Sequence, residues 1–347
     1  TGPAPTNCVG ATQCFTITVN PTPGITANAD QTLCAGDATA AVVFGSNVGT
    51  TTYTWTNSNT AIGLGASSGG PVLSIPSFTT TNAGTAPISG TIIVSTSATG
   101  CVGSKDTFVI TVNPIPVANP VGNQVVCDNE STTTINFSSA VAGTTFDWSY
   151  SASSNIGLPT TGTGNILSFT AVNTGTTPVV ATFTVTPTGP ASTFCLGNDI
   201  TFTITVLPRQ NPSFTYSPST YCQTGTNPVP IFGAGATLGG TFSYTGAGTL
   251  VIDPVTGVIT LLSSNLGSYT VKYVTPGPCP DSATFVVTIT NAPDASCTYS
   301  LNHYCQGGAV NPLPVFAPGA SAGTFSAIPA GMNFVNVNTG EIDLSNS

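Results

Sequence analysis

Four stretches of the chain alternate bulky apolar residues with threonine and then stop at a proline. They are CFTITVNP at Cys14–Pro21, TFVITVNP at Thr107–Pro114, TFTITVLP at Thr201–Pro208 and TFVVTITNAP at Thr284–Pro293. A period of two is the mark of a half-buried β-strand, and proline closes such a strand because it has no N–H to give to a ladder. Between the first two of these stretches the same reading predicts strands at about 25–33, 38–45, 51–57, 61–65, 72–78, 88–97 and 106–112, separated by Gly, Asn, Pro and Ser clusters. Seven short strands in so few residues is the count of an immunoglobulin-like sandwich. No segment carries a helical period of useful length.

Cysteine gives the array its phase. Cys8, Cys101, Cys195 and Cys279 each precede one of the proline-bounded strands, while Cys34, Cys127, Cys222 and Cys305 each follow a proline boundary. The second series recurs at intervals of 93, 95 and 83 residues and the first at 93, 94 and 84, so both keep one period. The predicted organisation is a last strand of a truncated repeat at 1–20, repeats at 21–113, 114–207 and 208–291, and the front of a further repeat at 292–347. The fold class expected is all-β: tandem immunoglobulin-like sandwiches forming an elongated rod.

Two repeat subtypes are visible. In the first two complete repeats a tryptophan, Trp55 or Trp148, follows the cysteine by 21 residues. The third and the last share FTYSPSTYCQTG (214–225) with CTYSLNHYCQGG (297–308), and place Phe242 and Phe325 20 residues after their cysteines. All four aromatics are expected to plug the core from the third strand.

The Cys–x–Gly before the second strand, TWT or DWS on the third, Gly-Cys before the last and VNPxP at the boundary resemble the PKD-like and Ig-like repeats of Bacteroidetes surface proteins. The second subtype, CQTGTNPVP, GTFS, DPVTGVITL and GSYTVKYVT, resembles repeats of giant gliding-motility adhesins of the SprB type. The resemblance implies type IX secretion, an extracellular or cell-surface address attached to the outer membrane, and a role in adhesion or motility. Fold analogy alone does not fix function.

Composition narrows the partners. Charged residues make up only 4% of the chain while hydrophobic residues make up 40%, so core is plentiful and ionisable chemistry scarce. Net charge is −9, with only Lys105, Arg209 and Lys272 basic, which excludes nucleic acid and anionic membrane surfaces as partners. No apolar run approaches the ~20 residues of a membrane span. No leader is visible at Thr1, so the expectation is a fragment of a longer secreted protein with targeting and anchoring segments elsewhere.

Ten cysteines at regular spacing, without a Cys-x-x-Cys pair, predict an oxidised framework. Cys34, Cys101, Cys127, Cys195, Cys222 and Cys279 are the expected structural disulfide cysteines, but two connectivities are open. Pairing within each repeat (34–101, 127–195, 222–279) closes a loop worth roughly 4 kcal/mol in the chain-entropy picture. Yet Cys34 lies between the first and second strands and Cys101 between the sixth and seventh, at opposite poles of such a sandwich. A clamp between neighbouring repeats (34–195 and 127–279) fits that strand order. Cys8, Cys14, Cys297 and Cys305 are expected to find partners beyond residues 1–347. The unmatched end segments could also complement one another between chains.

Other chemistry is sparse. Gly65–Gly69 (GASSG) matches a nucleophile elbow by letter, but no helix follows, and the one histidine, His303, aligns with a turn threonine of another repeat. Acids gather beside the cysteines, and turn capping is the preferred account of them; the minor alternative is that Asp37 and Asp199 converge on a calcium ion if the poles meet. No cofactor is expected. Asp281-Ser282-Ala283 resembles the O-glycosylation site of Bacteroidetes, which would place a glycan on Ser282. The chain is therefore read as a non-enzymatic stalk of a secreted adhesin or filament. Its partners would be neighbouring repeats, surface glycans or other copies. The alternative is a set of glycan-binding accessory repeats of a secreted multidomain protein.

Overall fold

A computed structural model describes residues 10–190, 194–328 and 330–347. Every regular element in it is a strand or a single 3-10 turn. The chain divides into two units, 1–208 and 209–347.

In the first unit the first sandwich contains β1 (Gln31–Cys34), β2 (Val42–Val43), β3 (Thr52–Asn57), β4 (Ser74–Ile75), β5 (Ile88–Ala98) and β6 (Cys101–Asn113). One sheet runs β1-β6-β5-β3, with β1 parallel to β6 and the other pairs antiparallel. The facing layer is β2-β4, extended by the bond from the Thr26 N–H to Gly45 O and the bridge between Ala38 and Thr79. Alternation does what period two requires. Along β5 and β6, Ile92, Val94, Phe108, Ile110 and Val112 are buried and meet Trp55, Ile62 and Ile75 from the other elements.

The second sandwich repeats the plan with β7 (Gln124–Cys127), β8 (Thr145–Ser151), β9 (Thr161–Thr163), β10 (Val179–Thr188) and β11 (Ile200–Leu207) in the order β7-β11-β10-β8-β9. Phe183 stacks on Phe202 at 4.7 Å between ring centroids and lies 6.0 Å from Trp148. The Trp148 indole nitrogen finds no acceptor among the described residues.

Two expectations for the first sandwich change. The stretch predicted as a strand at 61–65 is instead entered by a 3-10 turn, Thr60–Ile62, because the Asn59 side chain accepts the Ala61 N–H and starts the turn. The predicted first strand, 25–33, is divided: Thr26 bonds to the facing layer and Gln31–Cys34 crosses to pair with β6. This switch of sheets decides where Cys34 sits.

In the second unit the third sandwich has β12 (Phe214–Thr215), β13 (Thr220–Cys222), β14 (Ile231–Phe232), β15 (Thr241–Gly246), β16 (Gly267–Val274) and β17 (Ser282–Thr290). The sheets are β13-β17-β16-β15 and β12-β14. The core is aromatic: Tyr216, Phe242, Tyr269 and Tyr273 are buried around Phe214. Beyond it, β18 (Cys297–Thr298) pairs with β19 (Val315–Phe316), and β20 (Phe334–Asn336) with β21 (Glu341–Ile342).

Candidate functional site

The site is the junction between the first and second sandwiches. Parallel register sets Cys34 opposite Asn113, the last residue of β6, so Cys34 stands where the chain leaves the sandwich. A tight turn fixes it. The Asp37 carboxylate accepts the Cys34 N–H at 3.0 Å, the Asp37 N–H donates to Cys34 O at 3.1 Å, and the Thr80 hydroxyl donates to the same carbonyl at 2.7 Å. The second sandwich builds the same turn, with the Cys127 N–H donating to Glu130 at 3.4 Å and Cys127 opposite Leu207 at the end of β11.

Cys195 lies at the other end of its sandwich, between β10 and β11. Its carbonyl accepts the Gly189 N–H at 2.8 Å, Leu196 bridges to Thr188, and the residue is 2% exposed. Cys34 and Cys195 form a disulfide with 5.6 Å between Cα atoms, across 161 residues of sequence. That separation is ordinary for a disulfide. The bond ties the exit of the first sandwich to the entrance of the second.

Pairing of Cys34 with Cys101 is thereby overturned. Cys101 begins β6 and Asn113 ends it; a strand of 13 residues puts roughly 40 Å between the two poles. Cys101 carries a free thiol, 3.8 Å from Asn20 O, and Cys222, opposite Thr290 at the end of β13, is also free. Both were expected in disulfides within the chain. A rule that joins the exit cysteine of one sandwich to the entrance cysteine of the next leaves these two without a counterpart among the three complete sandwiches. Cys127 and Cys279 are disulfide-bonded. Cys14, Cys297 and Cys305 are thiols, and Cys8 lies outside the described residues.

Two further features of the junction went unread in the sequence. Cys101-Val-Gly103 and Cys195-Leu-Gly197 share a glycine, and in both sandwiches the linker passes over it. A Cβ on Gly103 would stand 2.1 Å from Pro23 O, and one on Gly197 2.0 Å from Pro116 O. The recurrence of Cys-x-Gly was the available signal. The other feature is an asparagine, Asn82 or Asn173. Its side-chain amide donates to the carbonyl of Val112 or Val206 at 2.8 Å and to that of Ala86 or Thr177 at 2.9 Å, pinning a loop to the end of the last strand.

The acids serve turns. Asp37 is occupied as described, and Asp199 accepts the Thr186 hydroxyl at 2.6 Å. Among the described residues no group of three or more His, Cys, Asp or Glu converges as a metal would need. Trp55 and Trp148 are 8% exposed and Phe242 4%, each inside its core; Phe325 is half-buried. Shallow grooves of about 320 and 370 Å³ lie over Trp55 and Trp148, lined by outward Thr and Ser side chains. In GASSG the Ser68 N–H donates to Trp55 O at 3.1 Å, so this segment is a strand edge rather than an elbow. His303 is exposed beside Asn302. Ser282 is exposed at the start of β17. Among the described residues no helix is long and apolar enough to cross a membrane.

Residues 124–210, which span the second sandwich, match the PKD-like domain. No curated protein matches this chain. Among solved structures, mouse cadherin-23 EC22-24 is similar at 13% identity, covering 79% of this chain and 100% of that one, with a TM-score of 0.36. The human desmocollin-1 ectodomain is similar at 12% identity over 92% and 72%, TM-score 0.31. The eight N-terminal Ig domains of Down syndrome cell adhesion molecule are similar at 13% over 94% and 45%, TM-score 0.34. The family likeness that the sequence supports is thus local: the second sandwich is similar to a PKD-like domain.

Proposed function

We propose that this chain is part of the structural stalk of a secreted cell-surface adhesin or filament, acting in adhesion and gliding motility and without enzymatic activity. The observation that carries the reading is the Cys34–Cys195 disulfide. A bond from the exit of one sandwich to the entrance of the next has no catalytic use. It does have a mechanical one, because tension reaching Cys34 passes to Cys195 without loading residues 35–194 between them. Disulfides persist in oxidising compartments, which supports an extracellular address. Export by the type IX route, attachment at the outer membrane, repeat boundaries at 21–113, 114–207 and 208–291, and glycosylation of the exposed Ser282 belong to the same proposal. Trp55 and Trp148 are buried in their cores, which disfavours a sugar-stacking role for these two residues and so the glycan-binding alternative.

Stretching single molecules by their ends tests the reading. With Cys127 and Cys279, which are disulfide-bonded as well, both replaced by Ser, reduction is expected to lengthen the fully unfolded chain by roughly 550 Å, the span of the shielded residues, and Cys34→Ser in the same background to reproduce this without reductant. Equal lengths for oxidised and reduced chains would overturn the mechanical role.

A further inference from the structure

The outward side chains of the second sandwich form rows across its large sheet. Thr201, Thr184, Ser149 and Thr161 stand in register on four neighbouring strands. The next row reads Asp199, Thr186, Asp147 and Thr163. Thr186 pairs with Asp147 and Asp147 with Thr163, while Asp199, just before β11, accepts the Thr186 hydroxyl at 2.6 Å. Strand alternation turns these side chains away from the core, and both carboxylates are exposed.

The equivalent row of the first sandwich is Lys105, Ser95 and Thr54. Thr54 and Asp147 each precede the core tryptophan. Lys105 lies three residues before Phe108, as Asp199 lies three before Phe202. Charge therefore reverses between two faces of one design. The first row carries an ammonium and no carboxylate, the second two carboxylates and no cation. The rest of both faces is mostly uncharged Thr and Ser. Lys105 is one of only three basic residues in the chain.

The groove over Trp148 supplies the socket. Asp147 lines it together with Ser149, Thr161, Thr163, Thr184 and Thr186. A carboxylate among hydroxyls is an acceptor set for an ammonium, which has three N–H donors and no acceptor. Lys105 of the same chain cannot fill it. This residue lies eight positions before the end of β6 at Asn113, roughly 27 Å from the exit of its own sandwich.

We propose that the Lys105 face of the first sandwich of one copy docks on the groove face of the second sandwich of another copy, its ammonium seated between Asp147 and Asp199. The hydroxyls of Thr54, Thr56, Ser67 and Ser95, which line the groove over Trp55, then meet those of the partner's groove. The contact joins unlike faces, so it is heterologous and sets chains side by side with a stagger of one sandwich. Each face measures roughly 20 Å by 20 Å, below the ~800 Å² per partner of a standard interface. A single contact is therefore transient, and repetition along the chains makes the association last.

The full chain, its thiols capped with iodoacetamide, tests this by sedimentation velocity over a concentration series. Self-association is expected at low salt. It should weaken by about tenfold or more near ~0.5 M salt, where the screening length is on the order of 4 Å. Lys105→Glu should abolish it, as should Asp147→Lys combined with Asp199→Asn. Mixing these two variants should restore it, because the mixture again offers one face of each sign. All three side chains are exposed, so the folded sandwiches are untouched. Carbodiimide coupling of isotope-labelled with unlabelled chains should join Lys105 of one to Asp147 or Asp199 of the other. Monomer at every concentration, association that survives Lys105→Glu, no recovery on mixing, or coupling through Lys272 in place of Lys105 would each overturn the proposal. The stretching experiment reads single chains, so its outcome is separate from this one.

Discussion

The third sandwich and the segment after it are two copies of one sequence pattern; residues 1–347 include the last two strands of the first copy and stop before those positions in the second. Their local hydrogen bonds agree closely. The Tyr216 hydroxyl donates to Gly257 O at 2.5 Å, and the Tyr299 hydroxyl donates to Gly340 O at 2.5 Å. The Phe242 N–H donates to Pro254 O and the Phe325 N–H to Val337 O, both at 2.8 Å. Asn227 and Asn311 accept the N–H groups of Leu261 and Leu344 at 3.0 and 3.1 Å. Gly257 and Gly340 lie at φ 73° and 71° and back onto the ring of Phe242 or Phe325, at 2.8 and 2.6 Å from an added Cβ. Burial is what differs: Phe242 is 4% exposed and sits on β15, while Phe325 is half-buried and belongs to no strand. One layer of the sandwich is therefore written in local bonds. The other exists only when β16 and β17 arrive from later in the chain.

The comparison breaks most sharply at Tyr273. This residue is 1% exposed; its ring lies 4.7 Å from that of Phe242, its hydroxyl donates to Thr237 O at 2.7 Å, and the Gly240 N–H donates to it at 2.9 Å. Tyr273→Ala should cost the third sandwich about 3–5 kcal/mol and raise amide exchange at 241–246 to the level already present at 324–326. Exchange followed by mass spectrometry on peptides reads both regions in one sample. Exchange at 241–246 unchanged by the substitution would mean that β15 does not need its neighbour.

The same contrast explains what was legible in the sequence. The alternation in the proline-bounded strands and the cysteine period carried the sandwich class and the phase of the array. Both signals are local or periodic. Trp55, Trp148 and Phe242 were legible as core because their strand neighbours alternate around them. Phe325 has the same letters at the same offset, yet its burial depends on strands that its own segment lacks. The connectivity at Cys34 was open because it hangs on where the first strand crosses between layers, between Thr26 and Gln31. No periodic signal marks that crossing. Gly103 and Gly197 were missed because the linker that crosses them is distant in sequence, and a glycine before a strand reads as an ordinary turn.

A milder test removes one hydroxyl from each copy. Burial pushes the Tyr216 phenol far above its ordinary range, with the neighbouring Tyr221 adding to the shift, so Tyr216 remains a donor at any practical pH. Tyr216→Phe strands the buried Gly257 carbonyl and should cost about 1–3 kcal/mol. Gly340 is buried as well, but Tyr299 is half-buried and lines an open groove, where water can replace its hydroxyl, so Tyr299→Phe should cost nearer ~0.5–1.5 kcal/mol. Urea unfolding of single-substitution variants, followed by exchange in the two regions, measures the difference. Equal costs would mean that the last segment is as closed as the third sandwich.

The smallest effect lies in the hairpin turns, where the two copies differ by one atom type. Asp253 accepts the N–H groups of Val255 and Thr256, each at 2.8 Å. Its counterpart is Asn336, whose side-chain oxygen accepts the Asn338 N–H at 2.9 Å. The Thr256 N–H, followed by that of Val255, holds the Asp253 carboxyl below its ordinary value of 3.8. A depressed folded-state value stabilises the turn fully above 3.8, and that contribution disappears as pH falls through the lower, folded value. Asn336 carries no titrating proton, so its turn has no such window. Titrating the chain from neutral pH into acid while following the amide signals of Val255, Thr256 and Asn338 by NMR should therefore move the first two below pH 3.8 and leave the third still. Asp253→Asn should abolish the movement, and Asn336→Asp should create it at 338. A titration at Asn338 in the parent chain would have to come from another group; Asp343 is the candidate, because the Ser345 hydroxyl and then the Asn346 side chain hold its carboxyl below 3.8 as well. Asp343→Asn combined with Glu341→Gln, which removes the carboxylate paired with Asn336 across the hairpin, separates the sources: a movement at Asn338 that persists in this variant would show that the two turns are not the chemical pair their sequences make them.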